Sequence, residues 1–234
     1  MDGRRFKLVR ARRALIALAA CAAWPAFAQE VCGSLDNAFG PFDYRVASPG
    51  DLRVVETHHF TQQVETLRSG QEGYLGSDID YTLRAFPNHP RALLAMMKLA
   101  AREARDPPPH SRYSVTCWFM RAERFRPDDA MVKVLYGTFL AQQGKKADAL
   151  AKLDEAAKQD ELSANAAYNM GLVYTDLGRY DDALKFAWQA YGQGFPLGGL
   201  RDRLQRAGKW RNPPPQVEQS APAAASAPAA ATAP

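Results

Sequence analysis

Between residues 130 and 197 the chain repeats itself at an offset of 34 residues. Gly137 pairs in this way with Gly171, Gly144 with Gly178, Asp148 with Asp182, Ala149 with Ala183, Leu150 with Leu184 and Ala156 with Ala190, all without a gap. An uninterrupted period of this length restricts the fold to stacked copies of one supersecondary unit, because a single copy cannot bury its apolar face alone. Each copy reads as two antiparallel helices. Over 131–143 Met131, Val134, Leu135 and Leu140 recur at helical spacing, and Gly144 ends the run. A second helix over 147–158 carries Ala149, Leu150, Leu153 and Ala156 on one side. Residues 164–177 and 180–191 repeat the plan, with Gly178 as the break. The small residues predict a close crossing: Gly137 against the helix near Ala149, and Gly171 against the helix near Ala183.

This pattern resembles the tetratricopeptide repeat (TPR). The last copy carries Gly171, Tyr174, Gly178, Tyr180, Ala183, Ala190 and Pro196, and the preceding one Gly137, Leu140, Gly144, Ala149, Leu153 and Ala156. Two positions depart from the family pattern: Lys133 replaces a large apolar residue, and Ala187 stands where the second helix usually has one, with Phe186 beside it. The resemblance implies an all-α helix-turn-helix solenoid with repeats at 130–163 and 164–197. Upstream, degenerate copies extend over 91–127, with helices at Arg91–Ala104 and Cys117–Pro127, and into an irregular region over 29–90. That region ends in a helix from Asp78 to Pro87, whose partner falls at 52–68. The segment Cys32–Tyr44 has no repeat character; with the Phe86–Pro90 stretch it is similar to a group of exported proteobacterial TPR proteins, a similarity that supplies no activity. Residues 198–211 read as a capping helix with Arg201, Arg203, Arg206 and Lys209 outward, the polar end that a repeat array requires. An interface for anionic lipid or a partner, with Trp210 at its edge, is the other reading of that basic face.

The ends of the chain bear on compartment. Residues 1–28 hold six basic side chains against Asp2, then an apolar run from Ala14 to Ala23 and an Ala26-Phe27-Ala28 cleavage site before Gln29, the order of a secretory signal peptide. The rest of the chain balances 24 basic against 24 acidic residues, so the formal charge of +5 belongs to the leader and gives no support to a nucleic-acid partner. The expected location is the periplasm. Leu18-Ala19-Ala20-Cys21 also resembles a lipobox, and cleavage there gives an outer-membrane lipoprotein instead. Either cut leaves Cys32 and Cys117, which in an oxidising compartment are expected to bridge; two buried free thiols are the alternative. Residues 212–234 run through prolines into Ala/Pro/Ser/Thr sequence with few charges and no large aromatic, and read as a disordered, partly polyproline tail.

No phosphate-binding loop, dinucleotide fingerprint or Gly-x-Ser-x-Gly elbow occurs, and no cofactor is expected. His58, His59, His89 and His110 lack metal-ligand spacing, so no metal site is expected. The acidic pairs Asp128-Asp129, Asp154-Glu155 and Asp181-Asp182 suit helix N-termini or exposed faces. The chain is therefore read as a non-enzymatic scaffold for a protein or peptide partner. By the resemblance, Val134, Leu135, Thr138, Tyr168, Asn169, Leu172 and Asp176 line the concave groove, with Tyr168 as its anchor. Asn169 matches an asparagine of carboxylate-clamping TPR domains, but the accompanying lysines are missing, so that clamp is not expected. An enzyme or enzyme accessory with a site in the non-repeat segment 29–77 is the alternative.

Overall fold

The computed structural model describes residues 32–71, 73–159 and 162–214. The signal peptide expected over 1–28, with Cys21, and the Ala/Pro-rich stretch from residue 215 onward lie outside the described residues. Among the described residues all regular structure is helical, with no strand. In chain order the helices are α1 (Pro49–His58), α2 (Gln62–Glu65), α3 (Leu75–Ala85), α4 (Pro90–Glu103), α5 (Val115–Phe125), α6 (Ala130–Gln142), α7 (Lys146–Ala157), α8 (Ala164–Asp176), α9 (Tyr180–Gly192) and α10 (Gly199–Arg206). The chain forms two compact units that divide between Gln159 and Asp160, so α6 and α7 belong with the N-terminal helices and α8 to α10 form a unit of their own.

The helices start where local chemistry satisfies their free N–H groups. Ser48, Ser114 and Ser163 each accept a hydrogen bond from a first-turn amide of α1, α5 and α8, and Asp129 accepts two, from Met131 and Val132 of α6. The helices α6 and α8 stop alike. Gly144 and Gly178 adopt φ of +74° and +75°, which lets the amides of Lys145 and Arg179 reach back to the carbonyls of Leu140 and Tyr174.

In the N-terminal unit α4 touches α3, α5 and α6, and α6 packs most extensively on α7. A methyl group added at Gly137 would lie 3.2 Å from both the Ala149 carbonyl oxygen and Leu153 Cδ2, the close crossing expected from sequence. Lys133 is buried yet paired: its Nζ lies 3.2 Å from Glu155 and joins a cluster with Lys152 and Glu123. The single helix expected over 52–68 is instead two short ones. The chain turns at His59–Thr61, which places Phe60 in the core edge-on to His89 and leaves Val64 fully enclosed.

The non-repeat start of the chain is a strap. Cys32 is disulfide-bonded to Cys117 of α5, with Cα atoms 5.3 Å apart. Arg121, buried in α5, donates to the carbonyls of Cys32 and Ser34 at 2.8 and 2.6 Å. Further along, the Phe42 amide donates to the Ala85 carbonyl, and Phe39 and Phe42 close an apolar cluster with Val55, Ala85 and Phe86.

In the C-terminal unit α8 packs most extensively on α9, and α10 lies against both. A methyl group at Gly171 would stand 3.3 Å from the Ala183 carbonyl oxygen and collide with the Leu200 side chain. Leu200 and Leu204 are fully buried while Arg201, Arg203 and Arg206 are exposed, so α10 completes the core as well as capping it. Phe186 fills the space left by Ala187 and stacks on Tyr174 with ring centroids 5.5 Å apart.

Candidate functional site

The residues expected in a groove fall in two units and have unequal access. In the N-terminal unit Val134 is 0% exposed and Leu135 is also buried, so both are core residues and correct the expectation of ligand contact. Thr138 is half-buried, and its hydroxyl donates to the Val134 carbonyl. In the C-terminal unit Tyr168, the expected anchor, is only 8% exposed. Its ring lies 4.3 Å from that of Phe195, which leaves no broad aromatic face for a partner. Asn169 and Leu172 are half-buried; the Asn169 amide donates to the carbonyl and side chain of Asn165. Asp176 is exposed and pairs with Arg203 at 2.8 Å. Helical spacing alone does not separate a stripe that faces a partner from one that faces the next helix, because the two overlap.

Each unit also carries a cleft. In the C-terminal unit it measures about 680 Å³ and is bounded by Trp188, Tyr191, Arg201, Trp210, Pro213 and Pro214 among others. Trp188 and Tyr191 stand one turn apart on α9 and so share a face. After α10 the chain turns at Gly208, φ +65°, with the Lys209 and Trp210 amides bonded to the Leu204 carbonyl. That turn returns residues 210–214 to α9. The Trp188 indole N–H donates to the Arg211 carbonyl at 2.8 Å, and the Arg211 guanidinium pairs with Asp181 of the first turn of α9. Arg201 lies 4.8 Å from the Tyr191 ring centre and 5.0 Å from that of Trp210, so the guanidinium packs against both members of an edge-to-face aromatic pair. The Tyr191 hydroxyl donates to the Leu197 carbonyl and accepts from the Arg201 amide; burial pushes its pKa up. Of this set, sequence reasoning singled out only Arg201 and Trp210.

In the N-terminal unit a cleft of about 600 Å³ is bounded by Leu52, Arg53, Glu56, Phe60, Glu65 and Arg91. Arg91 bridges Glu56 and Glu65. Buried His89 stands beneath, its Nδ1 accepting from the Ala92 amide and its Nε2 3.3 Å from Glu56. With Nδ1 an acceptor, the ring proton is on Nε2 and is donated to Glu56. That bond, with Arg91, holds the Glu56 carboxyl below its usual range against the effect of burial. Burial pushes the His89 pKa down, and the bond to Glu56 only partly offsets it. Glu56, Glu65 and Arg91 thus form a salt-bridged wall of this cleft.

Behind it lies a polar network that joins strap to helices. Asn88, 1% exposed, donates to Asp43 at 2.7 Å and to Asp129 at 2.9 Å, and accepts from the Tyr44 amide. Arg45 and Arg126 donate to Asp43 as well. Burial would raise the Asp43 carboxyl, but the hydrogen bonds from Arg45, Asn88 and Arg126 overrule it and hold the group far below the ordinary carboxylate range.

The adjacent histidines diverge, His59 stacking on Tyr81 while His58 is exposed. Among the described residues no three His, Cys, Asp or Glu side chains gather as metal ligands, and no helix is long and apolar enough to cross a membrane. Set against protein-family models, curated proteins and solved structures, the chain matches none of them.

Proposed function

We propose that this chain is an exported scaffold of the TPR type, which binds a protein or peptide partner in the bacterial cell envelope. The observation that carries the reading is the agreement of two helical hairpins: α8 starts 34 residues after α6, α9 starts 34 after α7, and both turns use a left-handed glycine. Repeated hairpins of this kind bury their shared face and leave first-helix side chains for a ligand. The Cys32–Cys117 bond supports an oxidising compartment. Burial of Val134, Leu135 and Tyr168 leaves Asn169 and Leu172 as the proposed contact in the C-terminal unit, a mixed apolar and amide pair suited to an extended peptide, and Thr138 as a separate candidate in the N-terminal unit.

The test is photo-crosslinking in the native cell from a reactive residue placed at Asn169, at Thr138 or, as a control, at exposed Lys185. A single protein adduct from the first two positions and none from the third is expected. Equal labelling at all three positions, or no protein adduct from Asn169 and Thr138, would sink the scaffold reading.

A further inference from the structure

The aromatic cleft of the C-terminal unit does not depend on any reading of the repeats. A proline-rich segment in extended conformation forms no internal hydrogen bonds, so its carbonyls are free to accept from a partner. Receptors for such segments supply aromatic rings for the pyrrolidine faces and an indole or phenol donor for a backbone carbonyl. Trp188, Tyr191 and Trp210 provide the rings, and Trp188 provides the donor, already bonded to the Arg211 carbonyl at 2.8 Å. Pro213 and Pro214 form part of the cleft boundary, and Arg211 is fixed at its start by Asp181. The chain is rich in proline beyond this point, at positions 215, 222, 228 and 234.

We propose that this cleft is a receptor for extended proline-rich segments, and that the chain's own Arg211–Pro214 run occupies it in cis. The indole of Trp188 reads the backbone, and the rings of Tyr191 and Trp210 hold the side chains. Those two rings meet edge to face with centroids 6.1 Å apart, and the Arg201 guanidinium packs against both. A ligand joined to its receptor by one short turn is present at an effective concentration of about millimolar. A free peptide of the same sequence must therefore displace it before binding.

The experiment uses the full chain and a synthetic peptide of residues 211–222. Binding is followed by calorimetry and by the Trp188 indole N–H resonance. Arg211→Ala combined with Pro213→Gly and Pro214→Gly removes the Asp181 anchor and both pyrrolidine rings, and so releases the cis occupant. The released protein is expected to bind the peptide at least about tenfold more tightly than the unaltered chain, as loss of a cis competitor requires. Adding Trp188→Phe keeps a ring and deletes the donor, and should weaken binding about fivefold, the worth of one net hydrogen bond. Three results would overturn the proposal: no binding by a released protein whose circular dichroism is unchanged, equal binding by released and unaltered proteins, or equal binding of a peptide with its prolines replaced by glycine.

Discussion

Gly171 shows how much one missing methyl group decides. A Cβ there would meet both the Ala183 carbonyl and the Leu200 side chain, so α8 approaches α9 and α10 this closely because nothing projects at that position. Gly171→Leu should therefore destabilise the C-terminal unit by about 3 kcal/mol or more, the upper end for overpacking, as read by urea unfolding. Gly137→Ala meets milder contacts at 3.2 Å and should cost less; an equal cost would show that packing at the two crossings is not what differs. The same scale governs acid stability. His89 is held below its ordinary value by burial, so the stability it contributes is present above pH ~6.5 and is lost as pH falls towards its folded value. Glu56 and Asp43 are also held low, so their contribution is present above pH ~4 and is lost on further acidification. All three effects share one sign, and stability should fall from pH 7 to 5 and then more steeply below 4. His89→Asn keeps a capping acceptor for the Ala92 amide but removes the titration, and should flatten the upper part of that curve. An unchanged slope would dissociate His89 from it.

At the scale of elements, what could be read in advance was local. Helices α4 to α10 begin and end close to the positions given by apolar spacing, serine or aspartate caps and terminal glycines, because those determinants lie within a few residues of one another. The strap and the α1–α2 corner were not legible. Their geometry is set by partners far away in sequence: Asn88 with Asp43 and Asp129, Arg121 with the carbonyls of Cys32 and Ser34, and Phe60 against His89. Val134 and Tyr168 lie on helices that spacing foresaw, and their burial was not legible, since spacing does not say which neighbour covers a stripe. The disulfide was foreseen from compartment and parity, and it joins two of these distant elements. A cross-link over 85 residues constrains the unfolded chain by roughly 4–5 kcal/mol as an upper figure. Reduction should therefore raise hydrogen exchange in residues 32–48 and α5 while leaving α8 and α9 unaffected. Uniform acceleration through both units would contradict a local role for the bond.

Across the whole molecule, the division at Gln159 places one hairpin of the repeated pair in each unit, so the sequence period does not coincide with the units of the fold. The proposed export has its own measurement at this scale. The intact mass of native protein should correspond to a chain beginning at Gln29, or its cyclised form, and a lipidated chain beginning at Cys21 would replace the soluble reading with an anchored one. The bond between Cys32 and Cys117 carries a further consequence, one of timing. Synthesis runs from the N-terminus at ~5–20 residues per second, so Cys32 waits about 4–17 s before its partner exists. Throughout that interval the nearest thiol is Cys21, eleven residues upstream. Under the export proposed above, removal of residues 1–28 before Cys117 emerges takes away Cys21 and with it both competing bridges, Cys21–Cys32 and Cys21–Cys117. On that proposal leader cleavage doubles as a proofreading step for disulfide pairing, and a cleavage-defective precursor should accumulate a Cys21–Cys32 species visible by non-reducing peptide mapping.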